Sequence, residues 1–396
     1  MKRETTLFIV AMVTLTATGM LMVFSIGAAP TGDDMLFFRH LIYVAVGFAG
    51  FLIMSRFDYH HLGNPVLLRY IVWGSLLLLL LPRTPWIGIE RGGAPRWIGW
   101  GPVTFQPSEL AKFALVLLLA ARLTQYQEKI KSIFTGFLLP IGITLVFVAL
   151  VVQQKDVGIP MVMIATAFIM MWVAGVRKVY IVGCTLIPIG GLVPLIMFSG
   201  YRMSRIRAFL DPWSDRANTG YQLIQSMSAF AQGGFWGRGA GAGEQKLGYL
   251  PAAHTDFIYA VVGEELGFAG TALTLLLFAA LVYAALRIAA NAPDLYGTLL
   301  ATGIVSLIVV QALFIMAVTL GLLPTKGLPL PFVSYGGSAL IVSLTMVGVV
   351  VNIGVQSHER QPQRAAKGRK PSSRKAKNRP AAAQPTAAGV ARVRAG

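Results

Sequence analysis

The residues best suited to chemistry lie in one stretch, 246–258, which leads directly into an apolar run at 257–286. His254 and Asp256 stand where a helix would enter a membrane. A carboxylate at that point can stabilise a helix N-terminus, and it can also act as a general base on a hydroxyl nucleophile. Glu264 follows about two turns later on the same helical face. Two acids on one buried face exceed what a helix cap requires, so we interpret them as a candidate site.

A second polar cluster precedes another apolar run. Pro107 predicts a helix start, and Glu109 and Lys112 are three residues apart, so they share a face and can pair. A structural ion pair and a ligand site are both open interpretations. Arg96 lies just upstream beside Trp97, where it could hold a phosphate or a lipid headgroup.

A third cluster, at 323–338, contains three prolines before the last apolar run. It predicts a stiff surface or re-entrant segment, which is tolerated at membrane depth only inside protein or along a cavity. Lys326 and Ser334 are its candidate ligand contacts. A glycine-rich stretch at 233–243 could let the backbone approach a ligand closely, or it could be a flexible loop.

The composition places these clusters in a membrane. Of 396 residues, 55% are hydrophobic and only 13% are charged, about half the charged share of a soluble chain. This excludes a soluble enzyme, a disordered chain and a coiled coil. The single cysteine, Cys184, excludes an intramolecular disulfide framework and a cysteine-based metal site.

Apolar runs near the length that crosses about 30 Å of hydrocarbon recur along the chain. We predict an all-α, polytopic membrane protein with about ten transmembrane helices. The predicted spans are 7–27, 37–54, 66–82, 107–123, 134–152, 158–175, 178–199, 257–286, 298–322 and 333–355.

The charge distribution predicts the orientation. Residues 357–396 hold eleven Lys and Arg and one acidic residue, so the positive-inside rule puts this tail, and with an even number of spans both termini, in the cytoplasm. The predicted domains are a transmembrane domain at 1–356, with a large outer loop at 200–256 between the seventh and eighth helices, and a disordered basic tail at 357–396. The tail is expected to contact anionic headgroups or a cytoplasmic partner, and not nucleic acid.

Basic residues on the outer side run against this rule. Arg96 lies in the outer loop at 83–106, and Arg202 and Lys246 lie in the loop at 200–256. An anionic ligand on the outer side would explain them, although long loops also cross the membrane regardless of charge.

Taken in order, the clusters resemble the SEDS family (shape, elongation, division and sporulation) over about residues 7–355. The motifs that carry the resemblance are 105–109, 254–257 with 263–267, and 329–331 through 334–338. Motifs at 209–213, 220–223, 246–251 and 324–327 are closer to the FtsW-like division type than to the RodA-like elongation type.

The resemblance implies a peptidoglycan glycosyltransferase that polymerises lipid II at the outer face of the bacterial cytoplasmic (inner) membrane. Its implied partners are a class B penicillin-binding protein, whose transpeptidase cross-links the new strands, and other division proteins of the membrane. The family's catalytic aspartate maps onto Asp256, which would act as base on the acceptor sugar hydroxyl.

The implied reaction expels a lipid pyrophosphate, which cations stabilise through charge-assisted hydrogen bonds. The candidate cations are Lys112, Arg96, Lys246 and Arg202, and further candidate substrate contacts are His254, Lys326 and Ser334. A divalent cation could share the pyrophosphate, with Glu109 or Glu264 as ligands. No spacing in the sequence requires a metal, and no other cofactor is expected.

Two other functions fit some of the same features. A flippase or other transporter also has many spans, intramembrane acids and proline-broken segments, but here the polar residues concentrate on the outer side. A noncatalytic scaffold for a penicillin-binding protein would not explain Asp256 together with the basic outer loops.

Overall fold

The computed structural model describes residues 3–30, 33–84, 86–91, 94–100, 103–183, 209–218 and 220–368. The helices used below are α1 (Arg3–Gly27), α2 (Asp34–Arg56), α3 (Pro65–Leu80), α4 (Pro107–Gln125), α5 (Leu139–Gln153), α6 (Gly158–Ala174), α7 (Tyr221–Gly233), α8 (Ile258–Ala290), α9 (Leu295–Thr319) and α10 (Gly337–Gly368). A π-helical turn, Ile133–Leu138, precedes α5.

The predicted fold class, a mostly helical polytopic membrane protein, is confirmed. Among the described residues, seven helices are long and apolar enough to cross a membrane, and they coincide with the first, second, third, fifth, eighth, ninth and tenth predicted spans. Helix α6 is apolar but has only 17 residues, and α4 carries buried charges in its first turns. The count of ten stays a prediction, because the predicted span at 178–199 is described only for its helical residues 178–183.

Helices α9 and α10 form the centre of the bundle. Both are buried along most of their apolar length, whereas α2 and α3 expose much of theirs. An all-round apolar helix such as α9 is typical of a bundle centre, and a large exposed apolar face is typical of a helix that meets lipid. The bundle therefore surrounds α9 with α4, α6, α8 and α10.

Both ends of the helical domain lie at one face, which we call the terminal face. A Cβ atom on Gly354, near the end of the apolar part of α10, would lie 2.8 Å from Thr5 Oγ1 near the start of α1. The connections 57–64 and 291–294 meet at the same end of α10, since Gln356 Nε2 donates to Asp58 Oδ1 at 2.8 Å and Ser357 Oγ donates to the carbonyl oxygen of Asn291 at 2.6 Å. They also contact each other, since Tyr59 Oη donates to Asp294 Oδ2 at 2.6 Å. We call the opposite face, where α4 and α8 begin, the loop face.

The connection between α3 and α4, at the loop face, contains a small sheet that the sequence did not predict. Strands β1 (Gly88–Arg91), β2 (Ala94–Trp100) and β3 (Val103–Phe105) pair in the order β1-β2-β3, antiparallel throughout. The strands are short and glycines break their alternation, so no periodic apolar signal marks them. The sheet fixes Arg96, on β2, relative to the helices.

Helix α10 continues to Gly368, past the predicted domain boundary at residue 356, and the predicted domain division stays a prediction. Residues 369–396 of the predicted tail lie outside the described residues, as does Cys184.

Candidate active site

Asp256 belongs to a tight turn at 251–257 that ends where α8 begins. The amide groups of Thr255, Asp256 and Phe257 all point to the carbonyl oxygen of Ala252, at 3.1, 3.1 and 3.3 Å. Asp256 is half-buried. A Cβ atom on Gly327 would lie only 2.8 Å from Asp256 Oδ2, so the carboxylate lies against the proline-rich segment at 323–336.

Hydrogen bonds join this turn to the proline-rich segment. Ser334 is buried, and its hydroxyl donates to the carbonyl oxygen of Thr255 at 2.6 Å while accepting from the amide of Leu330 at 2.7 Å. The amide of Tyr335 donates to the carbonyl oxygen of His254 at 2.9 Å. Ser334, a predicted substrate contact, therefore positions the backbone on which Asp256 stands.

A cavity of about 500 Å³ opens next to the turn. It is lined by His254 and Thr255, by Tyr335 and Tyr43, and by the cationic side chains Arg39 and Lys246. Asp256 is not among its lining residues, although the two residues before it are. Asp256 therefore directly follows two residues that line a space containing aromatic rings, the acid Asp33 and two basic side chains.

Burial shifts the pKa of two side chains at the cavity, His254 and Tyr335. Burial lowers the pKa of His254, so its ring is neutral at pH 7 and can exchange hydrogen bonds without adding charge. Burial also raises the pKa of Tyr335, which keeps its hydroxyl protonated as a donor. The rings of Tyr335 and His254 pack edge-on, 5.7 Å apart.

Arg39 is the cation at this cavity that the sequence analysis missed. It lies in the first turns of α2, half-exposed, with Nη1 3.1 Å from Asp33 Oδ2. An ionisable residue inside a predicted apolar span is a candidate by itself, and Arg39 falls within the span at 37–54. That signal could have identified it.

Lys246 is held by the protein itself. Its Nζ lies 2.8 Å from Glu265 Oε1, 2.7 Å from Ser25 Oγ and 2.7 Å from the carbonyl oxygen of Gly241. Glu265 is fully buried and also accepts from Ser25 Oγ at 2.6 Å and from the Gly241 amide at 2.9 Å. Lys246 thus compensates a buried carboxylate, and the two residues fix the loop that precedes α8 to α1 and α8.

Glu264 is also fully buried, and it binds backbone amides of the same loop. Its carboxylate accepts from the amide of Glu244 at 2.7 Å and from the amide of Gln245 at 3.2 Å. Helix α8 breaks directly after these acids at Gly267, where φ is 66°. A Cβ there would clash with the Gly237 amide nitrogen, so the glycines of the loop permit close approach to α8 itself.

The predicted pair Glu109–Lys112 is confirmed as an ion pair. Lys112 Nζ lies 2.9 Å from Glu109 Oε2, and both side chains are buried. Lys112 also donates to Gln311 Oε1 at 2.7 Å, and Gln311 Nε2 donates to the carbonyl oxygen of Pro329 at 2.8 Å. These contacts link α4 through α9 to the proline-rich segment. They therefore help to fix the segment that lies against Asp256.

Arg96 contacts the connection between α5 and α6. Its guanidinium donates to the carbonyl oxygens of Gln154 and Lys155 at 3.2 and 2.6 Å, and Nη1 lies 3.6 Å from Asp156 Oδ2. The predicted cations Lys112, Lys246 and Arg96 therefore all have partners within the chain.

Two predicted residues remain less defined. Lys326 is half-buried and immediately precedes Gly327, the residue that lies against the Asp256 carboxylate. Arg202 lies outside the described residues. The described residues contain no group of three or more His, Cys, Asp or Glu side chains that could hold a metal ion.

Comparison with known proteins identifies the family. The profile of a cell cycle protein family that comprises FtsW, RodA and SpoVE matches residues 5–359. The chain is 44% identical over 349 residues to a Geobacter sp. (strain M18) protein named "Probable peptidoglycan glycosyltransferase FtsW", covering 87% of this chain and 95% of that one. It is 39% identical over 358 residues to stage V sporulation protein E of Bacillus subtilis (strain 168), covering 88% and 96%.

Solved structures agree. A chain of a peptidoglycan synthase complex superposes with a TM-score of 0.75 at 29% identity, covering 89% of this chain and 98% of that one. The rod shape determining protein RodA of Thermus thermophilus superposes with a TM-score of 0.65 at 25% identity, covering 89% and 96%. The predicted resemblance is confirmed, and the chain belongs to the FtsW/RodA/SpoVE family of cell cycle proteins.

Proposed function

We propose that this protein is a peptidoglycan glycosyltransferase that polymerises lipid II at the outer face of the bacterial cytoplasmic membrane, in septal synthesis. The relatives named FtsW carry that activity in their names. The observation that carries the proposal is the turn at 251–257. It sets a half-buried carboxylate, Asp256, at the start of a membrane helix and directly after two residues that line a cavity with two basic side chains.

In this proposal Asp256 acts as the general base. The 4-hydroxyl of one sugar attacks the anomeric carbon of another, Asp256 takes the hydroxyl proton, and the lipid pyrophosphate leaves with the bonding electrons. A positioned base typically contributes about 10²–10⁴-fold to such a step. The leaving group is already anionic, so it needs cations rather than a proton donor.

The geometry changes which cations are the best candidates. Lys112, Lys246 and Arg96 are engaged in protein contacts, so we assign them to positioning the site. Arg39 also pairs with Asp33, but its side chain lines the cavity and stays half-exposed, unlike those of the buried lysines. Lys326 adjoins the residue that lies against Asp256. These two are our candidates for the pyrophosphate, and Arg202 stays a candidate from the sequence.

The orientation and partners belong to the same proposal. The terminal face would be cytoplasmic and the loop face periplasmic, so that Asp256 meets lipid II on the outer side. A class B penicillin-binding protein is the proposed partner, which the likeness to a chain of a peptidoglycan synthase complex supports. Other divisome membrane proteins are expected to bind the same assembly.

The experiment uses the purified full chain with its penicillin-binding protein, fluorescent lipid II and a gel that resolves glycan polymer. The partner alone is the control. The proposal expects polymer only when this chain is present. Equal polymer from the partner alone would favour a scaffold, and movement of lipid II across vesicles without polymer would favour a flippase.

A further inference from the structure

A groove between α3 and α4 lies away from the candidate active site, at the terminal face. Its volume is about 590 Å³. It lies at this face because α3 begins directly after the connection at 57–64, which contacts Asp294. Its lining includes the apolar side chains of Leu68, Val72, Leu76 and Leu118 and the basic side chains of Arg69 and Arg122.

The groove has a charged end and an apolar end. Arg69 stands near the start of α3, and Leu76 lies seven residues further along the helix, about 10 Å deeper. Arg122 stands in the last turn of α4, close to the membrane boundary, while Leu118 lies one turn deeper. Trp73, also in the lining, is 61% exposed and opens the groove to lipid.

The arginines differ from the basic residues of the loop face. Arg69 is exposed and makes no hydrogen bond or ion pair within the part of the chain that the structure describes. Arg122 Nη1 donates to Gln125 Oε1 at 2.8 Å, which leaves most of its five N–H groups unused. Neither has an acidic partner, so the groove presents two uncompensated guanidinium groups.

We propose that this groove binds an anionic phospholipid of the leaflet at the terminal face. Its phosphate would accept hydrogen bonds from Arg69 and Arg122, and one acyl chain would lie against Leu68, Val72 and Leu118. Basic pockets between helices on the cytoplasmic side are suited to anionic headgroups, and guanidinium pairs well with phosphate oxygens. A soluble anion would leave the apolar walls uncovered, whereas a lipid fills both ends. The inference is independent of the proposed glycosyltransferase activity.

The test measures lipid binding to the delipidated full chain by native mass spectrometry. The probes are dioleoyl phosphatidylglycerol and dioleoyl phosphatidylcholine, which share acyl chains and differ in net charge. The variant is Arg69→Gln/Arg122→Gln. The matched control is Arg287→Gln, an exposed arginine in the last turn of α8 at the same face, outside the groove.

The wild type and Arg287→Gln should bind phosphatidylglycerol more tightly than phosphatidylcholine. The double variant should bind phosphatidylglycerol about 30-fold more weakly, as expected for the loss of two interfacial basic residues. Leu76→Trp, which fills the apolar end without a change of charge, should weaken both lipids.

Three outcomes would overturn the proposal. They are equal affinity of the wild type for the two lipids, an unchanged affinity of the double variant for phosphatidylglycerol, and displacement of phosphatidylglycerol by an equal concentration of inorganic phosphate. The last would show a soluble-anion site. Elution of each variant at the wild-type volume in size-exclusion chromatography ensures that lost binding is not lost folding.

Discussion

Replacing Lys246 separates a structural role from a role in binding pyrophosphate. Lys246 Nζ lies 2.8 Å from Glu265 Oε1, with both side chains almost entirely buried. Lys246→Met would leave a buried carboxylate without its cation, and breaking a buried pair from one side costs about 3–5 kcal/mol. Glu265 would keep its hydrogen bonds from Ser25 and Gly241. We therefore expect Lys246→Met to lower the free energy of unfolding by about 3 kcal/mol.

The double variant Lys246→Met/Glu265→Gln tests this reasoning. It removes both charges, and the glutamine carbonyl can still accept from Ser25. Because the uncompensated charge is gone, the double variant should recover about 2 kcal/mol of the loss. The free energy of unfolding is measured by SDS titration in mixed micelles, with Lys129→Met, at an exposed lysine, as control.

Polymerisation measurements on the same variants distinguish the structural role from binding of the pyrophosphate. If Lys246 bound the pyrophosphate instead of stabilising Glu265, Lys246→Met would keep the wild-type free energy of unfolding and lose polymerisation. The double variant would then recover neither stability nor polymer. That pair of results would refute the structural assignment.

Two further changes test the site and the terminal face. Gly327→Ala would set a methyl group 2.8 Å from Asp256 Oδ2 and move the carboxylate; we expect about 10–100-fold slower polymerisation with normal folding, and no effect of Gly74→Ala, where a Cβ meets nothing within 4 Å. Burial raises the pKa of Asp58, but hydrogen bonds from a glutamine side chain and from the neighbouring histidine outweigh it and lower that pKa to about 2. A depressed carboxyl pKa stabilises the fold above about pH 4, and the benefit is lost as the pH falls toward 2. Thermal unfolding between pH 5 and 3 should therefore depend less on pH in Asp58→Asn than in the wild type, and an equal dependence would contradict this.

Local contacts could be predicted from the sequence. Glu109 and Lys112 pair because residues three apart share a helical face. The turn that contains Asp256 precedes a helix, as its position before an apolar run predicts. The apolar runs likewise predicted the seven described helices that are long and apolar enough to cross a membrane, since a crossing needs about 20 apolar residues.

Partners distant in sequence could not be predicted. Lys246 meets Glu265 and Ser25 only after α1 packs against α8, and Arg96 meets Asp156 only after the small sheet forms. The sequence alone therefore favours an anionic ligand for these basic residues, whereas in the structure acids and carbonyl groups of the chain contact them.

The role of Asp256 as base is tested most directly by the initial rate of glycan formation with Asp256→Asn. The substitution keeps the size of the side chain and removes its basicity, while Glu128→Gln changes an exposed acid on the terminal face and serves as control. With equal amounts of folded, partner-bound protein, the account predicts at least about 10²-fold slower polymerisation for Asp256→Asn and the wild-type rate for Glu128→Gln. Polymerisation by Asp256→Asn at the wild-type rate would contradict it.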